Sequence, residues 1–308
     1  MLPRIVFMGS PEFALPVLEA LTRQYPVVGV VTQPDRPAGR GGQLRSPPVK
    51  VYAQQAGLPF IQPENLRATE AMAQLRAWAP DVIVVAAFGQ ILRPEVLELP
   101  PYGCLNVHAS LLPRWRGASP IAAAILAGDA ETGVTIMKMD AGVDTGPILA
   151  QRAQPIARED TTASLSARLA RLGADLLLET LPDYLNGRCQ PYPQPAQGVT
   201  YAPMLKKEDG RLDFQKTANE LERQVRAMNP WPGAWFEWDG APLKVWRARV
   251  WYGPTPGSGQ RVVLDGYPAI GSREAVLVLE EVQPAGRKPM SGKAFLAGAR
   301  TWLTSCMS

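Results

Sequence analysis

The chain has 308 residues, 46% hydrophobic and 19% charged, enough for roughly two domains of about 150 residues, each with a full core. The apolar start MLPRIVFMGSPEFALPVLEAL is broken by Arg4, Gly9, Pro11 and Glu12, so it reads as neither a secretory leader nor a membrane span of about 20 residues. Three widely spaced cysteines, Cys104, Cys189 and Cys306, argue against a disulfide framework and a zinc cluster. A soluble, cytoplasmic protein with no metal and no membrane partner is expected. The net charge of +4 is uneven: residues 1–186 hold 16 Lys+Arg against 17 Asp+Glu, and residues 187–308 hold 16 against 11. A basic rear third suits an anionic partner, nucleic acid first, although the same excess also serves solubility.

In chain order, short apolar runs alternate with helical patterns, the arrangement of a parallel sheet flanked by helices. Strands are expected at Arg4 to Met8, Val27 to Thr32, Pro59 to Gln62, Val82 to Ala86, Cys104 to His108 and Gly133 to Met139. Helices are expected to start near Pro11, Val49, Thr69, Ser119 and Thr161, the last with Leu165, Leu169, Leu172, Leu176 and Leu177 at helical spacing as core. After Asn186 the texture changes to NGRCQPYPQPAQGVTYAP, without periodicity, which reads as a linker over 187–205. Beyond it, a helix over Lys216 to Met228 precedes extended runs punctuated by Asp239-Gly240 and Asp265-Gly266, both hairpin signals. The expected fold class is therefore α/β: a Rossmann-like open parallel-sheet domain over 1–186, then a small C-terminal β-barrel over 206–308.

Which residues carry chemistry? The first loop, FMGSPEFA, follows a strand but lacks the second glycine of a dinucleotide fingerprint, and no phosphate loop occurs. The connection TQPDRPAGRGGQLRSPPVK is long and rich in Gly and Pro, with Arg36, Arg40 and Arg45 suited to phosphate contact. The lone histidine, His108, sits two residues after Asn106 at a strand end. A period of two puts both side chains on one face, where ligands bind in open α/β sheets. The loop MDAGVDTGPI then offers Asp140, Asp144 and Thr145. An amide, an imidazole and a carboxylate over one crevice suit acyl transfer: a donor for an oxyanion and a pair to move protons. A serine hydrolase using Ser110 or Ser119 competes for the same residues, but no G-x-S-x-G elbow is present.

The stretches FMGSPEFALPVLEAL, VTQPDRPAGRG, NVHASLLPRWRGASPI, MDAGVDTGPI and NPWPGAWF together resemble the methionyl-tRNA formyltransferase family over nearly the whole chain. The resemblance implies a C-terminal barrel of the OB type that binds tRNA. It also implies transfer of a formyl group from 10-formyltetrahydrofolate to methionine carried on initiator tRNA. It places the catalytic set on Asn106, His108 and Asp144, and folate contacts on Ser110, Leu111, Leu112 and Pro113, with Phe88, Gly89 and Gln90 lining the pterin pocket. It assigns the acceptor-stem loop to residues 36–45, hence to Arg36, Arg40 and Arg45. A monomer is expected. A formyltransferase or deformylase acting on a small amine or on water is the alternative.

Overall fold

The computed structural model describes residues 2–38 and 43–303; Arg40 and Cys306, singled out above, lie outside them. The chain forms two compact units. The first comprises Met1–Pro120, Glu131–Pro155 and Ser166–Pro203; the second comprises Ile121–Ala130, Ile156–Leu165 and Met204–Ser308. Residues 121–130 and 156–165 thus cluster with the second unit rather than with the rest of 1–186. The reason is specific contact: within that unit Arg223 Nε donates to Leu126 O (3.1 Å), Arg226 Nη1 to Asp160 O (3.0 Å) and Thr162 Oγ1 to Ala227 O (2.7 Å).

In the first unit the elements are β1 (Ile5–Gly9), α1 (Leu15–Gln24), β2 (Val27–Val31), β3 (Arg36–Ala38), β4 (Gln43–Arg45), α2 (Pro48–Gln55), β5 (Phe60–Ile61), α3 (Thr69–Trp78), β6 (Val82–Ala86), α4 (Pro94–Leu97), β7 (Cys104–His108), β8 (Arg116–Gly117), α5 (Pro120–Ala127), β9 (Glu131–Lys138), β10 (Ile148–Pro155), α6 (Thr162–Leu185) and β11 (Tyr201–Ala202); α5 and α6 extend into the second. Seven strands make one sheet in the order β10-β9-β7-β6-β1-β2-β5. Strands β1, β6 and β7 are buried throughout their five residues, as expected of strands covered on both faces. Val6, Met8, Ile83 and Val85 face a cluster that includes Leu75, Trp78 and Phe88.

The sheet is mixed, not wholly parallel. Five strands run together, while β9 pairs antiparallel with β7 and β10 antiparallel with β9. The eight-residue α5 does not return the chain to the start of β7, so β9 begins at the end where β7 finishes. Strand β10 escapes the sequence because it is an edge strand whose second half alternates exposed and half-buried positions without large apolar residues. Behind β7, Gly173 of α6 lets the helix approach closely: a Cβ there would lie 2.6 Å from Val107 Cγ1. Of the leucine stripe, Leu165, Leu169, Leu176 and Leu177 are buried and Leu172 half-buried.

The second unit carries α7 (Ala218–Ala227), β12 (Ala234–Trp238), β13 (Ala241–Trp251), β14 (Arg261–Leu264), β15 (Tyr267–Gly271), β16 (Val276–Pro284), β17 (Met290–Ser291) and α8 (Gly292–Gly298). Its antiparallel sheet runs β12-β13-β16-β15-β14, with β17 beside β16. Asp239-Gly240 and Asp265-Gly266 form the two hairpin turns with positive φ at all four residues, the geometry that matches strand twist. Register shifts near Arg247 bend β13, as bulges do, around a core of Phe214, Phe236, Phe295 and Trp302. Helix α7 starts on a reciprocal cap between Thr217 and Glu220, which satisfies two otherwise orphan donors.

Candidate active site

Strand β7 places Asn106 and His108 on the same face as Cys104, which is part of the core with Leu92 and Val96. Both are nearly buried, 9% and 6% exposed. Cys104 below them is no nucleophile, because burial pushes its thiol up to about 12. The loop between β9 and β10 brings Asp144 to the pair. Asn106 Nδ2 donates to Asp144 Oδ1 at 3.3 Å, and His108 Nδ1 lies 3.6 Å from Oδ2. The second distance is too long for a hydrogen bond. What fixes the carboxylate is the backbone: Gly117 N donates to Oδ2 at 2.8 Å.

The other imidazole nitrogen, Nε2, meets the Trp115 carbonyl at 3.0 Å. A carbonyl only accepts, so Nε2 carries the proton and Nδ1 is the nitrogen turned to Asp144. An NH2 group has two N–H bonds, and Asn106 spends one on Asp144, leaving the other for a ligand. Among the described residues neither imidazole nitrogen is paired with a serine. Ser110 is fully buried and its hydroxyl donates to Arg114 O at 2.6 Å, turned away from the imidazole.

The loop after β7 is locked by Thr135 of β9. Its buried hydroxyl donates to Ser110 O (2.6 Å) and accepts from Leu112 N (3.1 Å) and Gln151 Nε2 (2.9 Å). Leu112 packs with Met137 and Ile148, Leu111 lies over Gly133, and the Leu112–Pro113 bond is cis. Ser110 and Leu112 thereby shape the loop from inside, while Leu111 and Pro113 are half-buried. Phe88, Gly89 and Gln90 follow the end of β6, the parallel neighbour of β7. Phe88 belongs to the core, Gly89 has φ 81, and Gln90 holds Leu66 N (3.2 Å) and Pro63 O (3.2 Å). Ile91 and Val143, 79% and 57% exposed, are apolar surface immediately beside Gln90 and Asp144 in the chain.

The arginine connection forms a short hairpin in which Arg36 pairs with Arg45 across β3 and β4; both are exposed. Its base is pinned by Asp35, whose carboxylate accepts from Lys50 Nζ (2.6 Å), Gln62 Nε2 (2.8 Å) and Ser46 Oγ (3.2 Å). Those bonds, Gln62 first and Lys50 next, hold the Asp35 carboxyl below the usual carboxylate range. Gln33 joins the hairpin to the end of β6 by donating from Nε2 to Phe88 O at 3.1 Å.

The stretch read as a linker is built into this unit. Tyr192 and Ile148 exchange backbone hydrogen bonds, Arg116 N donates to Thr200 O (2.9 Å), Trp115 N donates to Thr200 Oγ1 (2.8 Å), and β11 runs parallel to β8. Gly117 sits at φ +115, and a Cβ there would lie 2.6 Å from Ala202 O, so glycine is required where the backbone both turns and holds Asp144.

Residues 3–181 match the family described as Formyl transferase, and residues 204–300 match Formyl transferase, C-terminal domain. The chain is therefore a formyltransferase by class. Methionyl-tRNA formyltransferase of Myxococcus xanthus is 50% identical over 297 residues, covering 96% of this chain and 95% of that protein. The Chloroflexus aggregans protein of the same name is 51% identical over 301 residues, covering 96% and 97%. The chain belongs to the methionyl-tRNA formyltransferase family. Among solved structures, HypX from Aquifex aeolicus in complex with tetrahydrofolic acid has TM-score 0.67 at 18% identity, covering 99% of this chain and 48% of that one. WlaRD, a sugar 3N-formyl transferase, has TM-score 0.68 at 17% identity, covering 94% and 100%. At these identities the two structures speak for the fold.

Proposed function

We propose that this chain transfers the formyl group of 10-formyltetrahydrofolate to the α-amino group of methionine on initiator tRNA. The observation that carries the reading is the assembly of Asn106, His108 and Asp144 at the end of β7. The donor is an N-aryl formamide, whose nitrogen lone pair is shared with the ring, so an amine attacks its carbonyl without a covalent enzyme intermediate. An α-amino group titrates near about 7.7 to 8.0, so the attacking form is the neutral amine. Its nitrogen bonds to the formyl carbon, the His108–Asp144 pair takes the proton that nitrogen sheds, and Asn106 donates its second N–H to the tetrahedral oxyanion. Return of that proton to the folate nitrogen lets the old carbon–nitrogen bond break. Tetrahydrofolate and formylmethionyl-tRNA result.

Folate contact is assigned to the Ser110–Pro113 loop and to Phe88–Gln90, with Ile91 and Val143 as apolar surface for its rings. The tRNA side is assigned to Arg36, Arg40 and Arg45 and to the second unit. There Lys244 Nζ lies 5.2 Å from the Trp246 ring centroid, Trp231 is 56% exposed and Tyr252 73%, a mixture of cations and ring faces suited to unpaired nucleotides. The test is to supply donor labelled in the formyl carbon with Met-tRNA, small amines or water. Label on the methionyl amino group is expected. Label passing to small amines or to formate at equal rate, with Met-tRNA unlabelled, would overturn the reading.

A further inference from the structure

We infer that Gln194 is a positioning residue for Asp144, and that the apparent linker is a working wall of the active site. The inference rests on the formylation reading for its consequence in turnover and on geometry alone for the placement. Gln194 Nε2 donates to Asp144 O and to Gly146 O, both at 2.8 Å. Its Oε1 accepts from Arg116 Nε at 3.1 Å and from Arg116 Nη2 at 2.7 Å. An amide side chain offers two N–H donors and an oxygen with two lone pairs, so every capacity of this one is used. It ties the 140–146 loop to the 113–117 loop, 48 or more positions from either carbonyl it binds.

Both tied loops hold the reacting pair. The first carries Asp144 itself, at φ 51, and Trp115 of the second stands at φ 62, left-handed conformations that non-glycine residues keep only when their surroundings hold them. The second loop supplies Trp115 O to His108 Nε2 and Gly117 N to Asp144 Oδ2. One side chain therefore sets the distance between the carboxylate and the imidazole from behind, without touching either functional group. No other residue type of that length donates twice on one side and accepts twice on the other. A glutamate would keep the guanidinium but turn an acceptor toward two carbonyls; a methionine would keep the volume and lose all four bonds.

The experiment uses the full-length chain as wild type, Gln194→Met, Gln194→Glu and, on the same exposed segment, Gln197→Ala. Two readouts are taken: kcat and KM for formylation of Met-tRNA, and the ring nitrogen resonances of the imidazole at one fixed pH. The second needs no assignment strategy, since His108 is the single histidine of the sequence. A small misplacement at a catalytic group costs up to about 100-fold. Both Gln194 variants are expected to lose about 10- to 100-fold in kcat with KM for the folate donor within about threefold, and to move the imidazole resonances; Gln197→Ala is expected to do neither. In an active wild-type background, kcat within threefold for Gln194→Met, or unmoved resonances despite lost turnover, would overturn the proposal. A wild-type chain that leaves Met-tRNA unlabelled overturns the formylation reading alone, because the resonances decide the positioning without turnover.

Discussion

Asn106, His108 and Asp144 form an open triangle in which the backbone, through Gly117 N, makes a tighter bond to the carboxylate (2.8 Å) than Asn106 does (3.3 Å). Such loose side-chain contacts are normal before a ligand draws them together. Asn106→Ala removes the donor proposed for the oxyanion, a loss expected to be about 10²–10³ in kcat, and His108→Ala is expected to cost at least as much with the melting temperature little changed. Turnover within about threefold of wild type in either variant would remove these residues from the mechanism. At this scale the sequence was informative because a period of two guarantees that positions 106 and 108 share a face. It was silent on Gln194 and Thr200. Their hydrogen bonds run to residues between 48 and 87 positions away, and nothing in a Pro- and Gln-rich stretch marks which glutamine will find two carbonyls.

At the scale of elements, the hairpin β3–β4 and the cluster beneath it are the clearest unit. Its register sets Arg36 opposite Arg45, and Asp35 fastens its base to α2 through Lys50 and to β5's end through Gln62. The Asp35 carboxyl is depressed in the fold from its ordinary 3.8. A depressed carboxylate contributes stability that is present above the unfolded value and lost as pH falls through the folded one. Asp35→Asn is therefore expected to be less stable than wild type at neutral pH and to converge with it below about pH 4, as read from melting temperatures across that range. Parallel melting curves at all pH values would show that the anchor does nothing. A Gly/Pro-rich connection was recognisable from the sequence, but its pairing was not. The edge strand β10 was missed for a related reason, since a run of small and polar residues at a sheet edge looks like exposed loop.

For the whole molecule, charge divides as it does along the sequence, with the excess of basic groups in residues 187–308. If the tRNA reading holds, phosphate contacts release counterions and the logarithm of affinity falls with the logarithm of salt, by about 0.7 to 0.9 per phosphate neutralised. Replacing Arg36, Arg40 and Arg45 together by Ala is expected to flatten that slope by about two to three units, measured as Met-tRNA affinity from 50 to 200 mM salt. An unchanged slope would take the hairpin out of the RNA contact. Among the described residues no helix is long and apolar enough to cross a membrane.

Local pattern alone settled the alternation of strands and helices, the five-residue buried strands, the two Asp-Gly turns and the shared face of the asparagine and the lone imidazole, because each follows from short-range periodicity or from backbone geometry available to a few residue types. Tertiary structure decided the rest: the antiparallel return of β9, the attachment of 121–130 and 156–165 to the second unit, and the closing of the site by a segment that carries no periodic signal. Those depend on which distant backbone groups meet and on where a chain reversal happens to leave the next strand, and that information resides in contacts between segments.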